Sequence, residues 1–468
     1  MAEPNALANE VTAETGKKAI KTRDLTQGSI VNNLLRLSWP MIVMEATYMV
    51  SQIWDMLWVG KGGGANGIAA VGVGGLVMMM VNTIDMSIIS GARAMISRFF
   101  GAREFASAKQ VMAQAYMMGF CWGLVVTLLG SLFAPVILSL LGLESSVVAE
   151  GTRYLRILFA GWVTLELLII GLYNIQSTGD SFNPMLIEFL IRAVHLVLCP
   201  FLVMGYWFFP ALGISGAAIS NVAGQALGAV AGLVLLFSGY TRIKLSLSDF
   251  RFKPGIAWRM MKIGIPSMVS MLQTNFAMLL ITRIISPFGT LAVAANSLAG
   301  TVQNFILTPS FGMGAGVSVL VGQNLGAKQP QRAVKSAWTG AAILIGFMLV
   351  CGVVILIWAE SIIGLFDKDP GLIAISADFL RISTAAFLVL GLNYALMSGI
   401  SGAGDTLPNM LVSIGMIWLF QVPFTYILAN YTGLGVYGIR WAVVISSFAG
   451  AIAYFLYFQS GRWKRKKV

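Results

Sequence analysis

The side chains in this chain that could do chemistry are carboxylates placed where carboxylates are costly. Glu45 and Asp55 lie in an apolar run from Leu35 to Gly60, and Glu45, Tyr48, Gln52 and Asp55 step by three, four and three residues. At ~100° per residue this spacing gathers all four into a wedge of about 80° on one helix face. An acid at the centre of a bilayer costs on the order of 3 kcal/mol, so such a face must line a cavity or a partner helix, where it can bind a cation or a proton. The competing reading is a structural contact held by side-chain hydrogen bonds.

A second stripe, Glu188, Arg192, His195 and Cys199, steps by four, three and four and spans about 60°. Glu188 and Arg192 read as an i,i+4 ion pair. His195 lies eleven residues past Pro184, roughly 16 Å into a span at ~1.5 Å per residue, near mid-membrane, where an imidazole can carry a proton.

The elements that must position these groups are membrane helices. The chain has 468 residues, 57% of them hydrophobic and 11% charged, too apolar for a soluble multidomain protein. Windows of about 20 apolar residues give twelve spans, beginning near residues 35, 66, 110, 153, 184, 211, 258, 290, 334, 376, 408 and 434. The net charge of +12 would suggest nucleic acid in a soluble chain. Here the basic residues fall in short loops and tails, so they orient the protein and imply no nucleic-acid partner.

Arg98, Arg103 and Lys109, then Arg242, Lys244, Arg251 and Lys253, then Lys328, Arg332 and Lys335 all fall on one side of the membrane, together with both termini. Glu144, Glu150, Glu360, Asp367 and Asp369 fall on the other. Positive loops stay inside, so both termini are expected in the cytoplasm of a multi-pass cell-membrane protein. The polar tail to about Gln27 carries no cleavage signature before the first long apolar run and reads as preceding an uncleaved signal anchor.

The second half repeats the first. Gly101-Ala102-Arg103 returns as Gly326-Ala327-Lys328, Leu155-Arg156 as Leu380-Arg381 and Gly179-Asp180 as Gly404-Asp405, each 225 residues on (326 − 101, 380 − 155, 404 − 179). Leu212-Gly213 returns as Leu434-Gly435, 222 on, and Pro40 as Pro266, 226 on. Six spans is an even number, so both copies start on the same face and the repeat is parallel. The expected fold is therefore an all-α membrane protein with twelve transmembrane helices in two six-helix lobes. The divisions are a tail at 1–29, an N-lobe at 30–239, a basic linker at 240–257, a C-lobe at 258–459 and a basic tail at 460–468.

Several chemistries are excluded. No G-x-x-x-x-G-K-[ST] occurs to cradle nucleotide phosphates, and the single His195 has no H-E-x-x-H or Ser/His/Asp context. Cys121, Cys199 and Cys351 form no C-x-x-C. No enzyme activity and no organic cofactor are expected. The acids are also lopsided: Glu45, Asp55, Asp85, Glu166 and Glu188 lie in N-lobe spans, while about 225 residues on stand Met271, Ile281, Ser310, Gly391 and Ser413.

Trp54-Asp55 with Trp58-Val59-Gly60, Ile96-Ser97-Arg98 through Gly101-Ala102-Arg103, Gly179-Asp180, Gly213-Ile214-Ser215-Gly216-Ala217-Ala218, and Ile417-Trp418 to Pro423 with Gly433-Leu434-Gly435 occur in this order. From Asn32 to Phe458 the chain resembles the multidrug and toxic compound extrusion (MATE) family, closest to its DinF-like and archaeal branch. The resemblance implies a monomeric exporter of lipophilic or cationic compounds, exchanged for H⁺ or Na⁺.

It also implies that Asp55 is the N-lobe coupling acid. That branch carries on span five an Asn and, four residues on, an Asp before Pro, where this chain reads His195, Cys199 and Pro200. Imidazole and thiol are poor ligands for a hard cation, so a proton is expected in preference to Na⁺ at Asp55. The other branch's Glu, ten residues after Gly264, is Thr274 here. The candidate coupling set is Asp55, His195, Cys199 and Asn221. The candidate cavity set is Glu45, Tyr48, Gln52, Glu166, Gln273 and Thr274. Two alternatives remain: a lipid-linked saccharide flippase using Arg283 and Arg440, and a receptor or scaffold without transport.

Overall fold

A computed structural model describes residues 24–142, 144–466 and 468; the tail before Asp24, including most of the stretch preceding the expected anchor, lies outside them. Helix dominates, and no strand occurs among the described residues. Helix α1 (Ile30–Gly101) starts at Ser29, whose hydroxyl accepts from the Asn32 N–H, and is interrupted at Gly64, where φ is 57° and ψ −153°. Only glycine adopts that conformation cheaply, so Gly64 is where the first span ends and the second begins.

There follow α2 (Phe105–Leu140), α3 (Ser145–Ala160), α4 (Trp162–Ser177), α5 (Phe182–Met204) and α6 (Ile214–Ser238). The second half consists of α7 (Pro254–Ile285), α8 (Thr290–Gly326), α9 (Pro330–Ile363), α10 (Pro370–Gly402), α11 (Thr406–Ile414), α12 (Val422–Asn430) and α13 (Gly438–Gln459). Proline opens α7, α9 and α10, as suits a first turn whose N–H has no helical partner.

Ten helices are long and apolar enough to cross a membrane, and α3 with α4, bent by 48° at Gly161, make an eleventh. The first half of α1 is not among them, its polar residues Glu45, Gln52 and Asp55 lowering its hydropathy. It nevertheless runs as helix from Ile30 to Gly63. With α11 and α12 joined through the π-helical turn Gly415–Gln421 into one span, the twelve-helix, two-lobe architecture stands.

The repeat is visible in the backbone. Ten of the fourteen described residues with positive φ fall in pairs: Gly64 and Gly289, Arg103 and Lys328, Gly179 and Gly404, all 225 apart, and Gly213 with Gly435 and Gly239 with Gly461, 222 apart. Arg103 and Lys328, at φ 60° and 58°, show that the repeat reproduces a strained turn even where no glycine supplies it.

The lobes meet through the two halves of α1 against α7 and α8, near the basic loops. At these crossings glycine lets backbone touch backbone. A methyl group on Gly264 would stand 1.6 Å from the Ser87 carbonyl oxygen, one on Gly91 2.1 Å from that of Met260, and one on Gly101 1.9 Å from that of Gln323. Ser90 and Ser267 hydroxyls pair at 2.9 Å, and Asn275 donates to Thr83 at 3.1 Å. The C-terminal tail adds to this end, with Arg98 donating to the Ala403 and Lys466 carbonyls. Past Thr83 and the Met49–Thr308 contact, no hydrogen bond or ion pair joins the lobes among the described residues. The polar contacts that fasten the lobes therefore gather toward the basic end.

Candidate functional site

Asp55 lies on the first half of α1, beyond the last fastening between lobes, with its side chain 17% exposed. Its Oδ1 is 2.9 Å from His195 Nε2 and 3.6 Å from the Cys199 sulfur, which donates to it. Helix α5 presents both partners because residues four apart share a face. Both are fully buried. The Trp54 indole donates to the Leu196 carbonyl at 3.1 Å, locking α1 to α5 beside the cluster. Three of the four groups in the expected coupling set, Asp55, His195 and Cys199, are therefore brought together.

The cluster continues inward as a chain of polar contacts. His195 Nδ1 is 2.8 Å from the Ser51 hydroxyl, and an Arg192 guanidinium nitrogen reaches the same hydroxyl at 3.5 Å. Arg192 pairs with Glu188 at 2.6 Å and lies 5.0 Å from the centre of the Tyr48 ring, so the expected i,i+4 ion pair is present. Glu45 follows one turn below Tyr48 and is half-buried, with Arg93 and Glu188 as its charged neighbours. Arg93 in turn stacks 4.7 Å over Tyr173. Chemically this is a ladder of alternating acidic, basic and hydroxylic groups, with Asp55 at its cleft end.

The same family model, described as MatE, matches residues 40–201 and again 266–427, together more than half of the chain. The chain belongs to the MATE family. The two matches are 226 residues apart (266 − 40), within the register of the internal repeat. Among similar proteins, the probable multidrug resistance protein YoeA of Bacillus subtilis is 23% identical, covering 97% of this chain and 99% of its own. The FAD transporter of Shewanella oneidensis is also 23% identical, over 90% and 92%. A solved outward-facing multidrug resistance MATE family transporter of the MOP superfamily superposes with a TM-score of 0.88, at 23% identity, over 96% of this chain and all of that one. The MATE fold is thus shared along 96% of the chain.

The other expected residues are distributed unevenly over this MATE fold. Tyr48 and Gln52 are exposed. Asn221 on α6 accepts from Gln225 one turn along its own helix at 2.8 Å, and among the described residues no contact ties it to Asp55. In the C-lobe Gln273 accepts from the Trp418 indole at 2.9 Å and donates to Ser413 at 2.5 Å, bracing α7 against the π-helical turn. Thr274 is exposed and donates to the Ser270 carbonyl of its own helix.

Glu166 corrects the sequence-based expectation. It is 1% exposed, sealed in the N-lobe beside Asp85, and so does not line the cleft. Asp85 accepts from the Trp122 indole at 2.7 Å, and Gly119 and Gly123 leave room for the Glu166 side chain. Arg440, offered as a cavity cation, is also buried and donates to Gln303 and to the Asn296 carbonyl. Ser51 was missed. It stands three residues after Tyr48 and four before Asp55, which at ~100° per residue puts it about 40° outside the polar wedge, and serine is common in membrane helices.

Proposed function

We propose that the protein exports small lipophilic or cationic compounds across the cell membrane in exchange for H⁺, with Asp55 as the coupling group. The observation carrying this reading is the placement of Asp55: a partly exposed carboxylate within an apolar helix, backed by a buried imidazole. A cationic cargo and a proton compete for one carboxylate, so protonation of Asp55 from the outside releases the cargo there. Positive loops at the fastened end put that end in the cytoplasm. Alternating access then consists of separating the glycine crossings at that end while the opposite end closes. The relative named for FAD handles an anion, for which the acids Asp55 and Glu45 are unsuited; they favour a cationic cargo here.

Coupling to H⁺ in preference to Na⁺ rests on the donor set, because sodium wants oxygens and Asp55 is flanked by nitrogen and sulfur. His195, bridging Asp55 and Ser51, takes part in the proton step. Arg440, one of the two cations considered for a pyrophosphate, is buried and already bonded to Gln303 and the Asn296 carbonyl, which disfavours the flippase. Efflux of a cationic dye from proteoliposomes tests the reading. It should persist without Na⁺, collapse with an uncoupler and be abolished in Asp55→Asn, and His195→Asn should shift its pH profile. Full efflux by folded Asp55→Asn would remove Asp55 from the mechanism, and a strict Na⁺ requirement would replace the proton.

A further inference from the structure

We propose that Asp55, His195 and Cys199 form a binding site, open to the cleft, for a borderline-soft divalent metal ion of the Zn²⁺ class. The site is the one to which coupling was assigned, but the binding argument stands on geometry alone and does not need transport. One carboxylate oxygen, one imidazole nitrogen and one sulfur lie within 4.8 Å of one another. Two edges of this triangle measure 2.9 Å and 3.6 Å. Zinc bonds of ~2.0–2.1 Å to nitrogen and oxygen and ~2.3 Å to sulfur, arranged tetrahedrally, hold neighbouring ligand atoms roughly 3.3–3.6 Å apart. The 3.6 Å edge already has that length, and the 2.9 Å edge needs to open by about 0.4 Å to reach it.

His195 supplies the independent observation. Its Nε2 is fully buried and makes no hydrogen bond; Asp55 Oδ1 is near it but off the axis along which the ring nitrogen would donate. An atom that shares a cation with the nitrogen sits in that way, whereas a straight acceptor does not. The other ring nitrogen is 2.8 Å from Ser51 Oγ, the kind of outer hydrogen bond that fixes the orientation of metal-binding imidazoles.

Charge also balances. On binding, the Cys199 thiol gives up its proton to solvent, and a dication facing Asp55 carboxylate and Cys199 thiolate leaves a net charge of zero, which a low-dielectric interior tolerates. The nearest other cation, Arg192, is already paired with Glu188. Sodium would use the oxygen and leave two softer donors idle. The Asp55 side chain is 17% exposed, so a fourth position remains for water or a donor atom of a cargo, as in open zinc sites.

Cobalt(II) titration of the full-length protein in detergent micelles tests the site, because a cobalt–thiolate bond has its own charge-transfer absorption. Wild type should take up Co²⁺ with that band, and Zn²⁺ should displace it. Cys199→Ser should lose the band, while Cys121→Ser and Cys351→Ser keep it. Asp55→Asn and His195→Asn should weaken binding by at least about tenfold, and Ser51→Ala by about tenfold. Zn²⁺ should raise the thermal midpoint of wild type and not of Cys199→Ser, with matching elution profiles showing that the variants fold. A wild-type titration without the thiolate band, or equal affinity in wild type and Cys199→Ser, overturns the proposal. Loss of dye efflux with the band intact counts against the exporter and leaves the metal site standing; efflux without the band does the reverse.

Discussion

Gly264→Ala adds one methyl group where the lobes touch, and the structure sets the scale of its effect. That methyl would lie 1.6 Å from the Ser87 carbonyl oxygen, whereas ordinary contact begins at 3.4 Å, so α7 and α1 must part by about 3.4 − 1.6 = 1.8 Å. The obstacle is backbone and cannot rotate aside. Overpacking of this kind costs about 1–3 kcal/mol. Because each 1.4 kcal/mol is tenfold, the arrangement fastened at the basic end should lose roughly 5- to 150-fold in population against any arrangement that separates there. Helix propensity acts in the opposite sense, since alanine is the better helix former; the sign therefore reports the crossing and not the helix. Spin labels at Ala106 and Gln331, both exposed near the starts of α2 and α9, would measure the gap after replacement of the three cysteines. A longer-distance component should appear in Gly264→Ala. An unchanged distribution in a folded variant would show that the glycine crossing does not govern closure.

Two further substitutions test the polar groups within the N-lobe. Arg192→Met should lower stability by about 3–5 kcal/mol, because it strands Glu188 in a buried position, while Arg192→Met with Glu188→Gln should recover most of that loss; thermal unfolding in detergent that finds the single and double variants alike would refute the pairing. Trp122→Phe removes the indole donor to Asp85 and should cost about 1–3 kcal/mol by leaving a buried carboxyl oxygen without its partner, and an unfolding midpoint equal to wild type would show that this contact contributes nothing.

The twelve spans and their repeat were legible in the sequence because both follow from local rules. Apolar length marks a span, and turns that require positive φ recur at a fixed offset, so Gly179 and Gly404 could be paired before their φ values of 93° and 81° were known. The cluster at Asp55 was legible for a related reason: spacings of three and four put Asp55 on one helix face and His195 and Cys199 on another. Sequence could not supply the crossing partners. Gly91, Gly101 and Gly264 look like any small residues that ease helix packing, and only the tertiary arrangement reveals that each faces a backbone carbonyl of the other lobe.

Asp55 and Glu166 mark where that kind of reading stops. Both are acids in apolar helices of the same lobe, and the cost of placing an acid in a bilayer applies equally to both. That cost requires each to find a polar neighbour, and each does: Asp55 beside His195, Glu166 beside Asp85. It does not specify whether the neighbourhood opens onto the cleft. Asp55 belongs to the half of α1 that extends past the Met49–Thr308 contact, whereas Glu166 points from α4 into the interior of its own lobe, close to Gly119 and Gly123 of α2. Access to the cleft is set by which helix borders the other lobe, and that boundary exists only once twelve helices have packed. An acid's helix face can thus be read from spacing, but its exposure is decided by how the helices pack, which leaves the Asp55 side chain partly exposed and buries Glu166.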